Sequence, residues 1–346
     1  MPEKTRIGLL GAGHGHAGGK LQVLEASPEF EVAGVAEANP EVRERCQHQR
    51  PFATARWVSE DELLEDRSVA AVAVEGRVQA NLGLARRALE AGKHVHLDKP
   101  AGASLPEFRA VLDLARRRNL LLQMGYQFRC NGGFAFVREP ARRGWIGEVF
   151  SIHGSISSSI APAGRKELAA FPGGMMFDLG CHLIDALVGL LGRPRTITSF
   201  IRHDSSCEDA LADNTVAVFQ FERAIAVLES AAMEVGASQR RQFTICGTEG
   251  TVIVQPIEPP AARLSLRQPN AGYPAGWQPV PIENVPRYVR DFEEFAACIR
   301  GERQPSYDYD HDEAVQEAVL KASGMEPGCY NAIVGELSPR RAVGGS

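Results

Sequence analysis

The sequence predicts an α/β protein: a doubly wound parallel sheet first, then a second domain built mainly from consecutive strands. Three observations predict it. A glycine-rich turn (Gly11, Gly13, Gly15, Gly18, Gly19) separates an apolar run from a helical pattern. Apolar runs and amphipathic stretches then alternate over the first third of the chain, the mark of repeated βα units and a parallel sheet. Beyond Arg129 this rhythm stops, and β-branched runs follow one another across turns. At roughly 100–200 residues per domain, the 346 residues suit two domains. The change of pattern sets them at 1–123 and 124–325, with a tail over 326–346 that has no clear period.

The first strand is the run Ile7 to Leu10, and helical spacing resumes at Leu21, Val23 and Leu24. Strand, glycine turn and helix together form the context of a dinucleotide fingerprint. Gly11 permits the tight turn, Gly13 lets the backbone approach a pyrophosphate, and free N–H groups of the helix start face that anion. The third fingerprint glycine falls at position 16, where this chain has histidine. Its ring must fit the helix–strand contact, or the turn must be wider. The second strand, "FEVAGVAE", ends in Glu37, about 20 residues past the turn, as a ligand of a ribose 2′-hydroxyl should. A carboxylate there repels a 2′-phosphate, which favours NAD over NADP; the alternative is a plain surface acid at a strand end.

"SEDELLED" reads as a helix with Ser59 as N-cap. "VAAVAVEG" is a buried strand, and "VQANLGLARRALEAGKHV" a helix closed by Gly92. "HVHLDKP" is a strand ending in Asp98-Lys99-Pro100, followed by the helix "PEFRAVLDLARRRN" and the strand "LLLQMGYQF". Ligands of such sheets lie beyond the carboxyl ends of the strands, where Glu37, Gly76, Lys99 and Tyr126 fall. In the second domain "EVFSIHGSISSSI", "PRTITSFIRHD", "NTVAVFQFE", "AIAVLESAAMEV" and "RQFTICGTEGTVIVQ" are strands. The proline-rich stretch 256–281 is expected to be a surface excursion, with closing helices over 287–302 and 310–323.

One stretch of this half is both apolar and titratable: "FPGGMMFDLGCHLIDALVGLLG", residues 171–192. A helix starting near Met175 puts Asp178, His182 and Asp185 on one face. Singly, Asp178 could serve the helix dipole and His182 could be a satisfied core histidine. Set against Lys99 at a strand end, Asp178 and His182 become an acid–base pair. Asp185 stays structural, as a supporting hydrogen bond or ion pair.

Taken together, "GLLGAGHGH", "ALEAGKHVHLDKP", "MGYQFR", "GWIGEVFSIHG", "GGMMFDLGCHLIDALVGLLG" and "ICGTEGTVIVQ" resemble the glucose–fructose oxidoreductase, inositol dehydrogenase and rhizopine-catabolism (Gfo/Idh/MocA) family. The resemblance implies an N-terminal Rossmann domain. It also implies a C-terminal α/β domain with a large, open, mostly antiparallel sheet that often mediates homo-oligomerisation. It implies NAD(P)-dependent oxidation or reduction of a secondary alcohol on a sugar or cyclitol. Matched by motif, the catalytic residues are Lys99, Asp178 and His182, and the bond before Pro100 is frequently cis in the family. On the same basis Gly11, Gly13, His14, Gly15, Glu37, Gly76, Asp98 and Lys99 are the candidate cofactor-binding residues. Lys99, Tyr126, Arg129, Asp178 and His182 are the candidates for substrate; for Arg129 an interdomain salt bridge is the other reading. Three departures bear on the pocket's shape: Asn81 where the family has a histidine, Arg77 where it has a proline, and Asp98 in place of the commoner glutamate.

The expected chemistry follows from these groups. An imidazole titrates near neutrality and suits His182 to a hydroxyl proton; Asp178 holds it or the substrate; Lys99 stabilises a developing alkoxide. Two other readings remain: glycoside cleavage through transient ring oxidation and elimination, and a non-catalytic NAD-binding sensor. The net charge of −5 argues against a nucleic-acid partner. No apolar stretch approaches the roughly 18 residues of a membrane helix. Seven cysteines without a C-x-x-C, and an N-terminus without signal-peptide anatomy, suggest a cytoplasmic protein. The two H-x-H pairs, 14/16 and 94/96, lie at a loop and a strand without a carboxylate or cysteine at ligand spacing, so no metal is expected.

Overall fold

A computed structural model describes residues 4–325 and the backbone of residues 330–331. The first part alternates strand and helix: β1 Thr5–Leu10, α1 Ala17–Ala26, β2 Phe30–Ala36, α2 Pro40–Gln47, β3 Trp57–Val58, α3 Glu60–Glu65, β4 Ala71–Val74, α4 Val78–Glu90, β5 His94–Asp98, α5 Leu105–Arg118 and β6 Leu122–Gly125. The six strands are parallel in the order β3-β2-β1-β4-β5-β6. The order reverses between β1 and β4, which opens a crevice beyond their carboxyl ends.

Local chemistry accounts for the helix ends. Ser59 and Glu62 form a reciprocal capping box at α3. Asn39 accepts from two N–H groups at the start of α2, with Pro40 next to it. Gly92, at φ 77°, follows α4. The arginines 116–118 close α5, where cations meet the carbonyl end of the dipole.

The second part contains α6 Gly132–Arg142, β7 Val149–Ser155, α7 Pro162–Leu168, α8 Cys181–Leu191, β8 Thr196–Arg202, β9 Asn214–Gln220, β10 Ile225–Ala231, α9 Ala237–Arg240, β11 Gln242–Gly247, β12 Gly250–Val254, β13 Ala262–Leu266, β14 Gly276–Val280, α10 Val289–Ile299, α11 Tyr309–Ala322 and β15 Tyr330–Asn331. Its sheet runs β14-β13-β12-β11-β7-β10-β9-β8-β15. All neighbours are antiparallel except β7 with β10 and β8 with β15. One side of each central strand is buried, as at Ala217, Phe219, Ala226, Leu228, Phe243 and Ile245; Val216, Val218 and Val227 alternate with them on the open face.

Two expectations change. Residues 256–281 are not a surface excursion: β13 pairs with β12, and β14 with β13. The alternation of Ala262, Leu264 and Leu266 buries one face there, and this outweighs the neighbouring prolines. The helix over 287–302 is shorter and returns to the first sheet. Phe292 and Phe295 of α10 pack on Phe30 of β2, in a core with Ile7, Leu9 and Leu21. The opposite face of that sheet belongs to a core shared with the second domain. The tail from 326 lies outside the described residues, apart from the backbone of β15.

Candidate active site

The crevice begins at the glycine turn. Gly11 has φ 89°, and a Cβ there would stand 2.4 Å from the backbone nitrogen of Gly76. Only glycine satisfies both the left-handed conformation and that approach. A Cβ on Gly13 would meet Arg77 at 3.1 Å, while one on Gly15 would meet nothing within 4 Å. The turn is therefore packed on one side and open at its tip. Glu37, just past β2, accepts from Ala12 N at 2.8 Å and from Asn39 N at 2.9 Å. Its carboxylate is thus held beside the turn. This cradle fits a dinucleotide: an open glycine tip before the N-terminus of α1, and a fixed acid on the β2 side.

Position 16 fits a histidine because of a carboxylate from another strand. Asp98 is wholly buried at the end of β5. His14 Nδ1 and His16 Nδ1 both reach its Oδ2, at 2.6 and 2.9 Å. Lys20 Nζ stands 3.3 Å from Oδ1, and the Lys99 backbone N–H donates to Oδ1 at 2.8 Å. Lys20 also bonds the buried Glu75 at 2.6 Å. The expectation that Asp98 touches the cofactor gives way: enclosed by these donors, it is a buttress joining the turn to the end of β5. His14 is bound to the same buttress.

The charges in this network sort themselves by neighbour. Burial works against the Asp98 carboxylate, but His14, Lys20 and His16 hold its pKa well below the usual range. Burial, with Asp98 close by, pushes Glu75 well up. Burial lowers His16 to about 4, although Asp98 pulls the other way; the imidazole is neutral near pH 7. Histidines 14 and 16 with Asp98 also have the donor types of a metal site. The Lys20 ammonium beside the same carboxylate opposes a second cation, and hydrogen bonds already account for the geometry. Likewise His96 Nε2 meets Asp291 of α10 at 2.8 Å. Folding supplied both carboxylates from distant parts of the chain.

One strand over from β4, Lys99 is 2% exposed and precedes a cis peptide to Pro100. Its Nζ donates to the Asp178 backbone carbonyl at 2.7 Å and lies 3.3 Å from Asp178 Oδ1. The two halves of the chain therefore meet at these side chains. Asp178 does not sit in an ordinary α-helix. Residues Met176–Gly180 form a π turn before α8, a feature frequent at functional sites. The wide turn exposes the Asp178 carbonyl, which also receives the Cys181 thiol at 3.1 Å. Burial opposes the charge on both partners, yet each holds the other: Lys99 is raised and Asp178 lowered.

His182 follows in the first turn of α8 and is 2% exposed. Its ring lies over Phe128 at 4.7 Å and edge-on to Tyr126 at 6.1 Å, and its Nδ1 has no partner. Burial, then the Lys99 charge, depresses its pKa well below 6.5. It is a neutral imidazole able to accept a proton. Tyr126, itself 2% exposed, supports this ring. Arg129 departs from the substrate-wall expectation. Its guanidinium bonds Asp185 and Asp312, both at 2.6 Å, and covers the Tyr307 ring at 4.1 Å. That clamp joins α8 to α11, and Asp185 has the structural part expected of it. A cavity of about 840 Å³ opens beside β6 and α11, lined by Arg138, Tyr307 and His311 among others. Lys99, Asp178 and His182 do not line it.

Sequence reasoning missed Lys20, Glu75 and Tyr288. Lys20 had a signal: Ala17, Lys20, Leu21 and Leu24 share the buried face of α1. Tyr288 comes from the far end of the chain. It has φ 68°, and its ring lies tilted against His16 at 5.7 Å, a position with no local signature.

Comparison with known proteins gives two family models. "Oxidoreductase family, NAD-binding Rossmann fold" matches residues 5–126, and "GFO/IDH/MocA C-terminal domain" matches residues 134–253. A dTDP-3,4-didehydro-2,6-dideoxy-alpha-D-glucose 3-reductase of Streptomyces violaceoruber is 32% identical over 58% of this chain and 58% of its own length. A levoglucosan dehydrogenase of Pseudarthrobacter phenanthrenivorans is 23% identical over 63% of each chain. Each match thus spans about three-fifths of the relative. Among solved structures, an Agrobacterium radiobacter oxidoreductase in complex with NAD+, L-tartaric acid and magnesium has a TM-score of 0.78 at 16% identity, covering 93% of this chain and 96% of that one. That similarity concerns the fold alone.

Proposed function

This chain belongs to the GFO/IDH/MocA oxidoreductase family, with its NAD-binding Rossmann domain, and from that premise we propose that it moves hydride between NAD and a secondary alcohol of a sugar or cyclitol. The observation that carries the reading is the contact between Lys99 and Asp178, 79 positions apart, beside a neutral His182. A sensor needs no such acid–base set. The Streptomyces relative is a sugar 3-reductase by name and the Pseudarthrobacter relative a sugar dehydrogenase, which supports a sugar as substrate. Glu37 favours NAD over NADP, since a 2′-phosphate beside its carboxylate would be repelled.

When bound, NAD supplies the hydride acceptor. Gly13, Gly15 and the start of α1 hold the pyrophosphate, and Glu37 the adenosine ribose. His182 takes the hydroxyl proton, for which its depressed pKa keeps it unprotonated. Lys99 donates to the same oxygen and stabilises its developing charge. Asp178 orients Lys99 and substrate hydroxyls. Asp98 fixes the backbone of Lys99 beneath. The first domain, 1–123, carries the nucleotide and 124–325 the substrate. The open face of the nine-stranded sheet, with Val216, Val218 and Val227, supports a homo-oligomer. Six free cysteines among the described residues support a reducing compartment such as the cytoplasm; no described helix is long and apolar enough to cross a membrane.

The test is NADH absorbance with inositols, hexoses, uronates, amino sugars and nucleotide-linked sugars. Lys99→Ala and His182→Ala should each lower turnover by about 10²–10³ with the fold intact by circular dichroism. Full activity in both variants would overturn the site. Failure of the native chain to reduce NAD with any of these, despite binding it, would overturn the reaction.

A further inference from the structure

The first turn of α4 holds a side chain that the site above does not use. Asn81 is 0% exposed, and neither its amide nitrogen nor its amide oxygen has a hydrogen-bond partner. Such a group is retained against its own desolvation cost, which points to a function. A second observation concerns the space beside it. A Cβ on Gly76 would lie 2.9 Å from Asn81 Oδ1 and 2.8 Å from Leu84 Cδ1. Gly76 is not among the glycines of positive φ, so its backbone does not demand glycine; the room next to Asn81 does.

The place matters as much as the vacancy in bonding. Gly76 ends the β4 side of the crevice, directly against Gly11 of the glycine turn. Lys99 directly follows the adjacent strand, β5. Glu37 lies on the other side of β1, with β2. A dinucleotide straddling the β1/β4 reversal, with its adenosine end at Glu37, brings its nicotinamide end to the β4/β5 side. A partner that satisfies both amide atoms of Asn81 offers a donor and an acceptor together. The ring's carboxamide does so.

We propose that Asn81 binds the carboxamide of the nicotinamide, Oδ1 accepting from its NH₂ and Nδ2 donating to its carbonyl. The amide is enclosed, so engagement takes a rotamer change of Asn81 rather than a movement of α4. The pairing fixes the ring's rotation and hence the face it turns toward Lys99 and His182. This rests on the NAD reading above.

The test compares NAD with ADP-ribose, which lacks only the nicotinamide, by calorimetry on the native chain and on Asn81→Leu. The variant should bind NAD about 10-fold more weakly, the loss expected for one amide pair. ADP-ribose should bind within about twofold of native, and the cofactor-free Tm should hold or rise, because a buried unpaired amide has been replaced by an apolar group. A purely structural asparagine would instead lower the Tm and weaken both ligands alike; that result, or unchanged NAD affinity, overturns the assignment. Asn81→Ala carries the same two-ligand comparison should leucine not fit beside Gly76. A native chain that binds neither ligand overturns the NAD reading, and this proposal with it.

Discussion

Replacing His16 by glutamine tests how the buttress under the glycine turn is built. In the folded protein burial lowers this imidazole from 6.5 to about 4, while in the unfolded chain it titrates near 6.5. Between those values the unfolded state binds more protons, so stability rises with pH there and falls on acidification. The contribution is intact above about pH 6.5 and lost progressively toward about pH 4. The full shift of about 2.5 units corresponds to about 3 kcal/mol, of which about 2.5 kcal/mol is lost by about pH 4.5. His16→Gln keeps a donor for Asp98 and removes the titration. Urea unfolding at about pH 7.5 and about pH 4.5 reads the difference. The native chain should lose about 2.5 kcal/mol more than the variant over that interval. Parallel losses, within about 0.5 kcal/mol, would mean that His16 is protonated in the fold and that burial does not govern its charge.

Two further outcomes follow from the geometry. Arg129→Met should lower stability by about 3–5 kcal/mol in urea, because the buried Asp312 loses its cation and the buried Asp185 keeps only His311 at 3.2 Å. KM for an active polyol should change less than roughly threefold; a large rise in KM with stability unchanged would restore Arg129 to the substrate wall. Glu37→Ala should raise the ratio of NADP to NAD affinity about 10-fold or more, and an unchanged ratio would show that the acid serves only Ala12 and Asn39.

Local patterns carried much of this molecule. The run Ile7–Leu10 before the glycines, the Ser59 cap, Gly92 after α4 and the alternating runs of the second domain each act through neighbours a few residues away. The Asp178–His182 spacing was legible too, though not the π turn that carries Asp178, whose carbonyl meets Lys99 from the other half of the chain. Residues 256–281 misled because prolines mark turns strongly, whereas pairing with β12 is a contact the stretch cannot announce alone.

By itself, then, the sequence determined the two kinds of sheet, the glycine turn and the residue types able to move a proton. Tertiary structure decided which of them are free to act. Asp98 looked like a cofactor ligand and Arg129 like either a substrate ligand or a salt-bridge partner; they are partners of His14, His16, Asp185 and Asp312, while Asn81 looked like a mere departure and was left without a bond. The reason is physical: a buried polar group's role depends on which complementary group lies within about 3 Å, and most of those partners are supplied by folding from distant parts of the chain.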